Sequence, residues 1–96
     1  MLFEWDAAKD RSNRKKHNGL DFETASRVFS DPGSHSRIER VVGDETRWQT
    51  IGIVGDQLLL VAHTWEEHDG EEIIRIISAR KANKQEGRRY SRQADE

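Results

Sequence analysis

The sequence predicts an α+β fold. Its antiparallel sheet would be built in the chain order β-α-α-β-β-β-β-α, with two N-terminal helices and a basic C-terminal helix. Three observations predict it. Early in the chain, apolar residues recur at helical spacing, as in Phe22, Ala25, Val28 and Phe29, which is the buried stripe of one helix. From Ser34 to Ser78 the pattern is extended, with apolar runs separated by Gly43-Asp44, Gly55-Asp56 and a long acidic turn at Glu66 to Gly70. Runs joined in this way form hairpins, and consecutive hairpins form an antiparallel meander. Beyond Ser78 the chain turns polar, and Arg80, Lys84, Arg88 and Arg92 recur every four residues, so they stack along one helix face.

Taken in order, Leu2 to Trp5 is a short first strand. Asp6 is an N-cap, and Ala7-Ala8 open a helix that runs to about His17 and ends at Asn18-Gly19. Its apolar side is weak, so it should lie on the sheet rather than cross the core. Leu20 and Asp21 open the second helix, which Asp31-Pro32-Gly33 stops because proline disfavours helical geometry just before itself. Strands follow at Ser34 to Val42 and Thr46 to Val54. Leu58 to Trp65 is a nearly continuous apolar run, as expected of a central strand covered on both faces. Ile73 to Ser78 is the last strand, passing through Ser78-Ala79 into the basic helix. Ala79, Ala82, Glu86 and Tyr90 share the opposite side of that helix. Glu86 and Tyr90 there suit a carboxylate–phenol pair that anchors the helix to the sheet.

A chain of 96 residues predicts one domain, residues 1–96. It is 33% hydrophobic and 35% charged, with a mean hydropathy of −0.96. That is a thin supply of core for a small domain, so the fold should be steadied by a partner. Net charge is −2, so any attraction to phosphate must come from local clusters. Positive charge gathers at Lys9 to Lys16 and Arg80 to Arg92, and acids gather at Glu66 to Glu72. The absence of cysteine excludes disulfides, a thiol nucleophile and thiolate metal sites, and fits a cytoplasmic setting. The longest apolar run, Leu58 to Ala62, is far shorter than the ~20 residues that span a bilayer. The stretch MLFEWDAAK lacks the basic start and apolar core of a signal peptide.

Several side chains stand out. Arg75 shares a strand face with Ile73 and Ile77. A guanidinium there must be paired, point into a cleft or reach out to water. His63 follows Leu59 and Val61 on one face of the central strand. It is either a satisfied core histidine or an imidazole able to move a proton near neutral pH. His63 and Arg75 lie on strands joined by one hairpin, which makes them candidate cross-strand neighbours. Lys15, Lys16 and His17 close the first helix, where the dipole favours cations and where a second basic patch could face phosphate. Trp5, Trp48 and Trp65 are either core or planes on which bases stack. No histidine pair has metal-ligand spacing and no glycine-rich phosphate loop is present, so neither metal nor cofactor is implied. RNA cleavage needs neither, since the 2′-hydroxyl is the nucleophile. The protein must position the phosphodiester, shield its developing charge and move two protons.

Four segments resemble one family. They are FEWDAAKDRSNRKKH (Phe3 to His17), DFETASRVFSDP (Asp21 to Pro32), LLLVAHT (Leu58 to Thr64) and RIISARKANKQEGRRY (Arg75 to Tyr90). In this order they are similar to the BrnT family of bacterial toxins. Lys9, Asn13, Lys16, His17, His63, Arg75, Ser78, Arg80, Glu86 and Tyr90 match its motifs. One departure is Asn18, which stands between His17 and Gly19 where the family pattern has glycine directly after the histidine. The resemblance implies a RelE-like fold and a ribonuclease that stops translation. It also implies neutralisation by a BrnA-like ribbon-helix-helix antitoxin, through which alone operator DNA would be engaged. The residues themselves suggest the roles. Arg75 and Arg80 would stabilise the phosphate, Lys16 would add charge and His63 would move the proton. Lys15, Lys81, Lys84 and Arg88 would hold RNA. The alternative is a non-catalytic nucleic-acid-binding or partner-binding module acting with an antitoxin in operon autoregulation.

Overall fold

The computed structural model describes residues 1–94. The chain forms β1 (Leu2–Trp5), α1 (Ala7–Lys16) and α2 (Phe22–Ser26), which runs into a 3-10 turn at Arg27–Ser30. Then come β2 (His35–Val42), β3 (Glu45–Val54), β4 (Gln57–His68), β5 (Glu71–Lys81) and α3 (Lys84–Ala94). The fold is α+β, with a five-stranded, mostly antiparallel sheet in the order β1-β5-β4-β3-β2. One pairing departs from the expected antiparallel sheet. β1 lies parallel to β5, from Leu2 opposite Ile73 to Trp5 opposite Ile76. The meander leaves two free edges, and β1 takes the one on β5, from which Asp6 leads straight into α1 over the sheet.

The helix ends follow local chemistry. Asp6 accepts from the Ala8 and Lys9 amides at 2.8 and 3.1 Å, and Asp21 accepts from the Thr24 amide at 2.7 Å. α1 closes through the Gly19 amide on the Arg14 carbonyl at 2.8 Å. Asn18 and Gly19 both have positive φ there, 53° and 85°. Asparagine is among the few side chains that tolerate this region, so the inserted residue is accommodated in the turn.

Strand register decides the two faces. On one face, Leu59, Val61, Ile74, Ile76 and Ala79 meet Phe22, Ala25 and Val28 of α2 and the turn after it. Gly52 belongs to this face, and a Cβ there would stand 2.9 Å from the Val28 carbonyl oxygen, so the turn packs directly on backbone. On the other face, Ile51, Leu60 and Arg80 are register partners across β3, β4 and β5, and α3 covers them. β4 is the middle strand and its Leu59 to Val61 are buried.

Two sequence expectations are corrected. The acidic stretch is not a long turn. β4 runs on to His68 and β5 starts at Glu71, leaving a two-residue turn at Asp69 and Gly70, both with positive φ. The last strand does not end at Ser78 either. It continues to Lys81, pairing Arg80 with Leu60, so Arg80 is a strand residue and the helical row keeps only Lys84, Arg88 and Arg92. The physical cause lies in Asn13. β1 ends before this part of β5, and the Asn13 amide takes the place of a neighbouring strand. It donates to the Ala79 carbonyl at 2.9 Å and accepts from the Ala79 amide at 3.1 Å.

Candidate nucleic-acid interface

α1 ends beside the far end of β5. There Lys16, His17, Asn18, Arg80 and Lys81 line one cleft of about 270 Å³. An adjoining cleft is lined by Lys9, Lys16, His17 and Ser78 among others. A third runs from His17 and Asn18 to Gln57 and Lys81. His17 borders all three. It is the C-cap of α1, its amide on the Asn13 carbonyl at 2.9 Å, and its ring is partly exposed. So of the predicted residues, Lys16, Arg80 and Lys81 converge, with Lys15 next to them on α1. Cationic side chains from a helix end, Lys15 and Lys16, and from a strand end, Arg80 and Lys81, thus gather positive charge around a partly exposed imidazole.

Arg80 is held in place on this rim. Its guanidinium donates to both carboxylate oxygens of Glu86 at 2.8 Å, and to the Lys81 carbonyl at 3.2 Å. Three of its five N–H groups are thereby engaged. The bidentate pair raises the arginine above its ordinary pKa and lowers that of Glu86. Glu86 also closes a capping box with Asn83: it accepts from the Asn83 amide at 2.9 Å, and its own amide donates to the Asn83 side chain at 2.8 Å. The expected Glu86–Tyr90 pair does not form. Tyr90 donates instead to Asp31 at 2.6 Å, so each residue anchors α3 to a different part of the sheet layer.

The other predicted site residues lie apart. His63 is fully buried. Its Nδ1 is 3.0 Å from the Thr64 carbonyl and its Nε2 is 2.6 Å from the Thr50 hydroxyl, which is itself 2.6 Å from Ser36 Oγ. A carbonyl only accepts, so Nδ1 carries the proton and Nε2 accepts from Thr50. Burial lowers its pKa, partly offset by the Thr64 carbonyl, and the ring is held neutral. Arg75 is opposite Thr64, whereas His63 is opposite Ile76, so the two project from opposite faces and are not neighbours. Arg75 is exposed and its nearest acid is Glu4, at 3.9 Å. Lys84 and Arg88 lie on α3, bordering a separate cleft of about 830 Å³ with Ile53, Asp56 and Leu58. The tryptophans are half-buried: Trp48 and Trp65 meet edge to face at 5.4 Å, and Trp5 packs on Phe22.

Sequence reasoning gave three residues no role of their own in the site or in holding it. His17 was visible in the helix-end basic patch, but which patch faces which strand is a tertiary fact. Asn13 gave only the signal of an amide inside a charged helix. Asp31 read as a helix stop, yet it gathers the Gly33 and Ile53 amides and the Tyr90 hydroxyl. Among the described residues, no helix is long and apolar enough to cross a membrane. No curated protein matches the chain. A family model described as the ribonuclease toxin BrnT of type II toxin–antitoxin systems matches residues 5–86, and with its segments, its fold and its basic cleft the chain belongs to that family.

Proposed function

We propose that this chain is a single-domain, RelE-like endoribonuclease toxin that cleaves RNA without a metal ion and so inhibits translation in the cytoplasm. A BrnA-like ribbon-helix-helix antitoxin would neutralise it and bring the complex to operator DNA. The observation that carries this reading is the meeting of Lys16, His17, Arg80 and Lys81 around one cleft.

The chemistry follows from those groups. A backbone phosphate sits between Lys16, Lys81 and the two N–H groups of Arg80 that Glu86 and Lys81 leave free. His17 takes the proton from the 2′-hydroxyl as its oxygen bonds to phosphorus. The bond from phosphorus to the 5′ oxygen breaks, and that oxygen takes a proton from Lys16 or from water. Charge building on the phosphorane is offset by the fixed guanidinium and the two ammonium groups. Arg75, exposed on β5, and Lys15 on α1 extend the basic track. His63 supports the sheet beneath it and does not touch RNA. Lys84 and Arg88, beside apolar Ile53 and Leu58, suit an acidic amphipathic antitoxin segment.

The test is cleavage of bulk RNA by the purified protein with and without a chelator. Cleavage should persist with the chelator. His17→Ala should lower the rate by about 10²–10⁴-fold, the usual contribution of a general base, while circular dichroism stays that of the parent. Full activity in His17→Ala would remove the assignment. RNA bound in a salt-dependent way but left intact would favour the non-catalytic module instead.

A further inference from the structure

On the face of the sheet that α3 covers, a second cationic cluster forms well away in sequence from the α1 cleft. His35 and Arg37 project from one face of β2, and Arg89 of α3 lies near enough for its charge and theirs to act on one another. The His35 ring stacks on Tyr90, with centroids 6.1 Å apart and planes inclined by 23°. Tyr90 is itself fixed by its hydroxyl on Asp31 at 2.6 Å, so the imidazole is clamped between strand and helix. Its Nε2 is buried with no hydrogen-bond partner among the described residues, and so is Nε of Arg89. Buried polar atoms are nearly always paired. Two orphaned nitrogens on neighbouring side chains therefore need a reason.

The charges point the same way. Arg37 and Arg89 are close enough for each to bear on His35, which burial already holds toward its neutral form. Burial and then Arg37 lower the pKa of Arg89, with Arg92 adding to this. Glu86 acts in the opposite sense on Arg89, but both of its oxygens are taken by Arg80. Like charges gathered in this way favour an anion between them. Guanidinium forks from two different elements and a ring N–H suit the several oxygens of a phosphate better than the two of a carboxylate.

We propose that His35, Arg37 and Arg89 form a phosphate subsite that takes a second backbone phosphodiester of the RNA bound at the α1 cleft. This rests on the ribonuclease reading. Arg80 connects the two places: it lines the α1 cleft and grips Glu86, whose charge reaches Arg89. Arg80, Leu60, Ile51 and His35 are successive register partners from β5 to β2, so a single strand leaving the cleft across the sheet meets Arg80 first and the subsite next.

The probe is a single-stranded 2′-O-methyl RNA oligonucleotide, which binds but has no nucleophile. Its affinity is measured across a salt series by fluorescence anisotropy for the parent, Arg37→Gln and Arg89→Gln. Arg37 is exposed, so its replacement does not endanger the fold. Each variant should bind more weakly, and the log–log salt slope should flatten by about 0.7, the share of one phosphate on a single strand. The His35 ring-nitrogen NMR signals should move when the oligonucleotide is added. Parent affinity and slope in both variants, with His35 unmoved, would overturn the subsite and leave the ribonuclease reading standing. Movement of His35 with inorganic phosphate or polyglutamate but not with the oligonucleotide would also overturn it, in favour of a small-anion or acidic-peptide site. Failure of the parent protein to bind the oligonucleotide at all would remove both readings together.

Discussion

Asp31 and Tyr90 show how much of this molecule is settled by single side chains. Burial raises the Asp31 pKa, but the Tyr90 hydroxyl and the Ile53 and Gly33 amides outweigh it and hold the carboxylate below its ordinary range. The same bond pushes the Tyr90 phenol up to about 12. Its folded pKa is thus above the ordinary value of ~10, so its stabilisation is complete below that value and is lost as pH rises through about 12. Tyr90 is the one tyrosine of the chain, so alkaline titration of tyrosinate absorbance reads it directly. The midpoint should be about 12, and Asp31→Asn should bring it back toward ~10. His63 has the opposite sign. Its folded pKa is depressed by burial, so the unfolded chain takes up the proton first as pH falls below ~6.5. Stability should decline there in urea titrations, and His63→Gln should weaken the neutral fold and reduce that slope to the share left by His35, whose pKa burial also lowers, with cleavage per folded molecule unchanged. A loss of cleavage without a loss of stability would return His63 to the chemistry.

At the scale of elements, the end of β5 is the decisive piece. Ile73 to Ile77 is legible as a strand because of its apolar run, and the helix beyond is legible because of its basic period of four. Where one becomes the other is not, since a strand residue and a helix residue can both be arginine. The boundary is set by the Asn13 amide on Ala79 and by the Asn83–Glu86 capping box, three elements acting on one backbone. Asn13→Ala leaves the Ala79 amide and carbonyl unpartnered at a buried site. It should cost roughly 1–3 kcal/mol in urea denaturation, the range for orphaning a buried polar group. Amide exchange at Ala79 and Lys81 should rise more than in the centre of β5. Uniform protection in the variant would show that Asn13 does not hold this edge.

For the whole molecule, the two ends of β5 carry opposite charge. Glu71 begins the strand and Lys81 ends it, about 30 Å apart at ~3.3 Å per residue. Glu66, the hairpin acid nearest the cleft, is seven residues along β4 from Leu59, the register partner of Lys81, which at ~3.3 Å per residue is ~23 Å. That is about two Debye lengths of ~10 Å at 0.1 M salt, so the hairpin acts only weakly on RNA held there. Replacing Glu66 and Glu67 with glutamine should leave cleavage nearly unchanged at that salt. Replacing Lys16 and Lys81 with glutamine should depress it strongly and weaken its salt dependence. A large gain in cleavage from the glutamate changes would mean that RNA runs along the whole strand.

Composition and pattern by themselves determined the α+β class, the meander, the two early helices and the central place of β4. They did so because helical and strand periodicities are local properties that survive without partners. Convergence is not local. Whether His63 meets water or the Thr50 hydroxyl depends on which face the turn after α2 covers. Arg75 and Arg80 are five residues apart, yet only one reaches Lys16 and His17, because α1 crosses β5 at one place. The tertiary structure alone decided that His17 is the open imidazole, that Arg80 stands on a strand, and that Arg89 comes near enough to His35 and Arg37 for their charges to act on one another. These contacts join residues far apart in sequence, and a chain of side-chain types does not state its own distances.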